Sequence, residues 1–90
     1  MPSISIIVKG KVQGVFFRKS AREKAIAIGI TGKIKNQPDE SVYIIATGTQ
    51  EQLHSFVEWC NEGPPRAIVS HIETKQEPLQ NFTSFTIVHS

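Results

Sequence analysis

The hydrophobic pattern changes period several times along the chain, and each change marks an element. Residues 4–9, Ile4-Ser5-Ile6-Ile7-Val8-Lys9, alternate in the period-2 manner of a strand and put Ile4, Ile6 and Val8 on one face. After a stretch with two glycines the period lengthens. Phe17, Ala21, Ala25 and Ile28 recur at helical spacing and predict a helix over residues 16–28, closed by Gly29 as its C-cap residue. Residues 30–36 alternate again, with Ile30, Gly32, Ile34 and Asn36 set against Thr31, Lys33 and Lys35. Pro38-Asp39-Glu40 reads as a turn, and residues 41–47 point Val42, Ile44 and Ala46 one way, so the two strands form a hairpin. Thr49 and Gln52 have the spacing of a capping box ahead of Leu53, Phe56, Val57 and Cys60, which make the apolar stripe of a second helix. Gly63-Pro64-Pro65 stops that helix, and further strands are expected over residues 67–75 and 82–88.

The order is β-α-β-β-α-β with an additional short strand. It predicts an α+β fold, a ferredoxin-like split βαβ sandwich with two helices on one face of an antiparallel sheet. In such a unit the first two strands run the same way with the third between them. Their C-terminal ends therefore emerge at one edge, about 10 Å apart at two strand spacings. The loop after the first strand and Asn36, at the end of the second, are brought to that edge. By strand parity Asn36 shares the helix-covered face with Ile30 and Ile34.

Composition narrows the class. Ninety residues, 39% of them hydrophobic, suit a single domain spanning residues 1–90 with one small core. No apolar run approaches the ~20 residues needed to cross a bilayer, and Met1-Pro2-Ser3 does not open a signal peptide. One cysteine, Cys60, leaves no internal disulfide and points to a reducing cytoplasm, where the Asn81-Phe82-Thr83 acceptor sequence would stay unglycosylated. Net charge is only +2, but residues 1–38 carry eight basic side chains and one acid, while residues 39–90 carry two basic side chains and seven acids. The first part of the chain is built to attract an anion.

The anion's place is the stretch Gly10-Lys11-Val12-Gln13-Gly14-Val15-Phe16-Phe17-Arg18. Glycines between a strand and a helix allow positive φ and close approach of the backbone. Such a loop can turn several N–H groups inward beside a helix N-terminus that already favours negative charge. Arg18, in the first turn, can close a guanidinium fork on a phosphate.

Other constellations are weaker. Cys60 and Arg66 have the C-x5-R spacing of cysteine-dependent phosphatases. But Pro64 and Pro65 offer no N–H, Glu62 would repel a dianion, and Cys60 lies near a helix C-terminus, where the dipole disfavours a thiolate. Its spacing makes it a core residue. His54, His71 and His89 show no ligand spacing. Trp59 falls off the main apolar stripe and reads as a packing residue. The same element order also serves RNA-recognition domains, yet the central strands offer only Tyr43 for base stacking.

The loop, followed by Gly32-Lys33-Ile34-Lys35-Asn36 and Pro38-Asp39, closely resembles the two signatures of the acylphosphatases. Trp59-Cys60, Gly63-Pro64-Pro65-Arg66-Ala67 and Phe85-Thr86-Ile87 also fit, so the resemblance spans essentially the whole chain. It implies a ferredoxin-like enzyme that hydrolyses carboxyl-phosphate anhydrides, acting on a small-molecule acyl phosphate with no metal or other cofactor. A cytoplasmic monomer is expected, with no nucleic-acid or membrane partner. Carried over by position, the backbone amides of Gln13, Gly14, Val15, Phe16, Phe17 and Arg18 resemble the family's phosphate cradle. Arg18 resembles its phosphate-binding arginine, and Asn36 the residue that positions the attacking water. Glu40 stands where the family often has glycine, which implies strain if φ is positive there. The ending Val88-His89-Ser90 lacks the aromatic or basic character often seen. The alternative is a non-catalytic anion- or nucleic-acid-binding module of the same fold, which would keep the loop but need not keep Asn36.

Overall fold

A computed structural model describes residues 1–89. The chain runs β1 (Ser3–Lys11), α1 (Phe17–Ile28), β2 (Thr31–Asn36), β3 (Val42–Thr47), α2 (Gln50–Glu62), β4 (Ile68–Glu77) and β5 (Phe85–Ile87). Every element expected from the hydrophobic pattern is present. The five strands form one sheet in the order β4-β1-β3-β2-β5. Both β1 and β2 pair antiparallel with β3, so they run parallel to each other on either side of it. Val8 and Asn36 both lie opposite Val42 and form one row across the sheet at the edge where β1 and β2 end.

The core lies between the sheet and the two helices. Ile6, Val8, Ile34, Val42, Ile44 and Ala46 rise from the sheet, Phe17, Ala21 and Ala25 descend from α1, and Leu53, Phe56 and Cys60 from α2. Gly29 takes φ 99° and donates its N–H to Ala25 O, closing α1. Thr49 and Gln52 make the reciprocal capping box at the start of α2. Trp59 packs against Phe17 and Phe56, with ring centroids 5.5 and 6.2 Å away.

The sheet is mixed rather than antiparallel, because β5 pairs parallel with β2. The reason is the path from β4, whose last residue Glu77 lies opposite Ser3 at the far end of the sheet. The chain must cross that end before it can add a strand. It does so with Gln80 fixed between Ser3 and Thr47: Gln80 N–H donates to Ser3 Oγ at 3.0 Å, and Thr47 Oγ1 donates to Gln80 O at 2.7 Å. It therefore enters beside the start of β2 and runs the same way. β5 is also shorter than expected, three residues in place of residues 82–88.

The β2–β3 hairpin turns through residues 37–41. Glu40 N–H donates to Gln37 O at 3.1 Å, and the Ser41 N–H and hydroxyl both donate to Asp39 Oδ1. The Ser41 hydroxyl, with the Ser41 N–H behind it, holds the exposed Asp39 carboxyl below the usual carboxylate range. Glu40 takes φ 72°. A left-handed conformation costs a non-glycine residue about 1–2 kcal/mol, whereas glycine brings back about 0.5–1 kcal/mol of extra chain entropy. Glu40→Gly is therefore expected to stabilise the fold by about 0.5 kcal/mol, read as a rise in Tm of roughly 2–4 °C. An unchanged or lower Tm would show that the turn carries no strain.

Candidate active site

The end of β1 is bent before the loop begins. The pairing with β4 shifts register between Lys9 and Gly10, where a bulge deflects the strand. Gly10 takes φ 127°, and a Cβ there would lie 2.2 Å from Ile68 O. Its lack of a side chain thus serves close approach to β4, not to a ligand. Gly14 is the glycine that faces outward: it takes φ 75°, and nothing lies within 4 Å of where its Cβ would be.

The loop is pinned by apolar side chains and leaves its amides free. Val12, Val15 and Phe17 are buried in the core, and Phe16, between two of them, is 66% exposed. Burying valines of this size contributes about 1.5–3 kcal/mol each, which holds a loop that has no strand partner beyond Lys11. Phe16 is the N-cap residue of α1 at φ 63°, ψ 23°, with no side-chain capping bond. The expected start of that helix moves by one residue for this reason. Among the described residues, the N–H groups of Gln13, Gly14, Val15 and Phe16 donate to no backbone carbonyl. The first turn of α1 adds further N–H groups that have no intrahelical acceptor, and that turn holds no acidic residue. A run of free amides, an uncapped helix N-terminus and two cations, Arg18 and Lys19, make a strongly anion-seeking concavity.

Asn36 faces the same space from the end of β2. A cavity of about 310 Å³ is lined by Val12, Gly14, Phe16, Phe17, Arg18, Lys19, Asn36, Ile87 and His89. Arg18 and Asn36 are thus brought together as the topology requires. Arg18 is half-buried and has no ion-pair partner among the described residues. The Asn36 Oδ1 is fully buried and has no hydrogen-bond partner in the protein. An unpaired buried acceptor costs about 1–3 kcal/mol, so its presence calls for a reason. Two candidate cradle residues, Gln13 and Val15, are not among the residues that line the cavity. The Val15 side chain points into the core, and the Gln13 side chain bonds to the hairpin instead. Lys19, one residue beyond Arg18, also lines the cavity. Ile87 and His89 arrive there because β5 runs parallel to β2 and ends at the same edge, with Ile34 opposite Ile87.

The acylphosphatase family model matches residues 4–87. The chain belongs to the acylphosphatase family. It is 45% identical over 85 residues to the acylphosphatase of Marinobacter nauticus, an alignment covering 93% of this chain and 92% of that one. Among solved structures it is similar to the acylphosphatase of Bacillus subtilis, with a TM-score of 0.96 and 37% identity over 99% of this chain and 100% of that one. It is also similar to an acylphosphatase from Coxiella burnetii, with a TM-score of 0.93 and 37% identity over 97% and 92% of the two chains. The fold of the acylphosphatases is therefore the fold of this chain, over its whole sheet and both helices.

Cysteine chemistry has no place at this cavity. Cys60 is fully buried in the core and does not line the cavity, and burial pushes its thiol pKa up, against formation of a thiolate. Cys60→Ser is expected to keep kcat within about twofold while burying a hydroxyl at a cost of about 1–3 kcal/mol, or a fall in Tm of roughly 4–24 °C. A collapse of kcat in folded Cys60→Ser protein would restore the C-x5-R reading. His54 pairs with Glu58 at 2.8 Å on the exposed face of α2, and His71 lies 3.6 Å from Glu73; neither histidine lines the cavity.

Proposed function

We propose that this chain hydrolyses acyl phosphates to a carboxylate and inorganic phosphate, using the 10–18 loop as a phosphoryl cradle, Arg18 as a clamp and Asn36 to hold the attacking water. The activity class follows from membership of the acylphosphatase family, and nothing favours a non-catalytic anion- or nucleic-acid-binding role. The observation that best supports this assignment of roles is that Asn36, whose Oδ1 is buried and unpaired, lines one cavity together with Arg18 and residues of the loop.

The chemistry asks little of the protein beyond positioning and charge. The phosphoryl oxygens accept hydrogen bonds from the amides of Gln13, Gly14, Val15, Phe16, Phe17 and Arg18, while the Arg18 guanidinium bridges two of them. A water held by hydrogen bonding to the Asn36 side-chain amide attacks phosphorus from the side opposite the acyl oxygen. The bond from phosphorus to the acyl oxygen breaks and its electron pair leaves on the carboxylate, which needs no general acid. Asn36 is far too weak a base to keep the water's proton, so a phosphate oxygen takes it. The products are a carboxylate and dihydrogen phosphate, with atoms and charge balanced.

The leaving group and the clamp remove the need for a Lewis acid, so the reaction is proposed to be independent of metal. The chain is further proposed to act as a cytoplasmic monomer of one domain on a small acyl phosphate. Among the described residues no helix is long and apolar enough to cross a membrane. The test is turnover of benzoyl phosphate by purified protein in excess chelator. Stoichiometric benzoate and phosphate are expected, at a rate unchanged by the chelator; phosphate binding without turnover would leave only an anion-binding module.

A further inference from the structure

The Gln13 side chain ties the loop after β1 to the β2–β3 hairpin. Its Nε2 donates to Gln37 O at 2.9 Å and to Ser41 O at 2.8 Å. These carbonyls form the neck of the β2–β3 hairpin, where Gln37 N–H donates to Ser41 O at 2.8 Å and Glu40 N–H to Gln37 O at 3.1 Å. Gln37 directly follows Asn36. A primary amide has two hydrogens to donate, and here both tie the cradle loop to the strand end that carries Asn36.

We propose that Gln13 is a positioning residue, which sets the separation between the phosphate cradle and Asn36 so that the held water stays in line with the acyl oxygen. This rests on the hydrolase reading above. In-line attack tolerates little error, and a displacement of about 1 Å can cost on the order of 100-fold in rate. Besides this tie, β3 connects the two, since both β1 and β2 pair with it. A purely stabilising role predicts a different pattern, because a global loss of stability leaves the rate constant of folded protein unchanged.

Gln13→Met isolates the amide. The methionine has similar length, and both hairpin carbonyls keep a backbone donor, so the turn survives. The measurements are kcat and KM for benzoyl phosphate and the inhibition constant of inorganic phosphate. They are made on wild type, Gln13→Met, Asn36→Ala and the double variant, each shown to be folded by its melt. Gln13→Ala replaces Gln13→Met if the methionine variant does not fold. Gln13→Met is expected to lower kcat about tenfold with the phosphate inhibition constant unchanged. In the Asn36→Ala background the same change is expected to cost less than about twofold, since the group being positioned is gone. Wild-type kcat in folded Gln13→Met protein overturns the proposal. So does a tenfold loss that persists without Asn36, or a phosphate inhibition constant that rises in step with the loss of kcat, either of which places the effect in the cradle. A wild-type chain that leaves benzoyl phosphate intact overturns the hydrolase reading itself, and the positioning role with it.

Discussion

Arg18→Lys is expected to lower kcat/KM for benzoyl phosphate at least about 100-fold, and Arg18→Ala on the order of 1000-fold. Arg18 enters the cavity from the first turn of α1, half-buried and without a competing carboxylate among the described residues. Its charge is therefore available to the ligand. Lysine keeps that charge but not the planar fork that meets two phosphate oxygens at once, and the ammonium is the more strongly hydrated group. Lys19 lines the same cavity and maintains the general field, so charge alone is not what the variant removes. If the arginine's geometry stabilises the transition state, kcat falls along with affinity. Turnover within a few-fold of wild type in Arg18→Lys protein would show that the residue serves only to attract the substrate.

Asn36→Ala carries the second large effect, and its signature is different. A fall in kcat on the order of 100- to 1000-fold is expected with KM changed less than about threefold, because the proposed mechanism has the loop, not Asn36, hold the phosphoryl group. Stability should move the other way. The Asn36 Oδ1 is buried without a protein partner, so its removal is expected to leave the fold unchanged or to stabilise it by up to about 1 kcal/mol. A residue kept for structure would destabilise when truncated. Steady-state kinetics and a thermal melt on one preparation separate the two. A proportional rise in KM, or a marked loss of Tm, would remove Asn36 from the role of water holder.

Much of the fold was legible because period and punctuation agree. The alternation in β1 to β3, the stripe of Phe17, Ala21 and Ala25, the Thr49–Gln52 box and the Gly29 cap each bury or satisfy the expected groups. Strand direction at the C-terminus was not legible. Residues 82–88 contain the apolar side chains of a strand but no local signal of where that strand enters the sheet. The entry point is fixed by the contacts of Gln80 with Ser3 and Thr47, more than thirty residues away in sequence. The same gap hid part of the cavity wall. Ile87 and His89 reach it only because β5 is parallel to β2, and Lys19 looks like any other lysine on an exposed helix until the cavity is seen.

The loop divides in the same way. Which residues approach the site could be read from spacing, since topology alone brings the end of β1 beside the end of β2. What each does there depends on side-chain direction. Gly10 serves the bulge against β4, while Gly14 opens the loop. Phe16, bulky and at positive φ, occupies a conformation that sequence preferences argue against. Strain of about 1–3 kcal/mol at such a residue is met by the burial of Val15 and Phe17 on either side.

The central claim is that water attacks phosphorus in the cradle, and hydrolysis in oxygen-18 water tests it most directly. Wild-type protein should release benzoate with unlabelled oxygens and inorganic phosphate carrying one labelled oxygen, with the same outcome in excess chelator. Label in the benzoate would place the attack at the acyl carbon, outside the reach of a site built from Arg18, the loop amides and Asn36, and would contradict the mechanism.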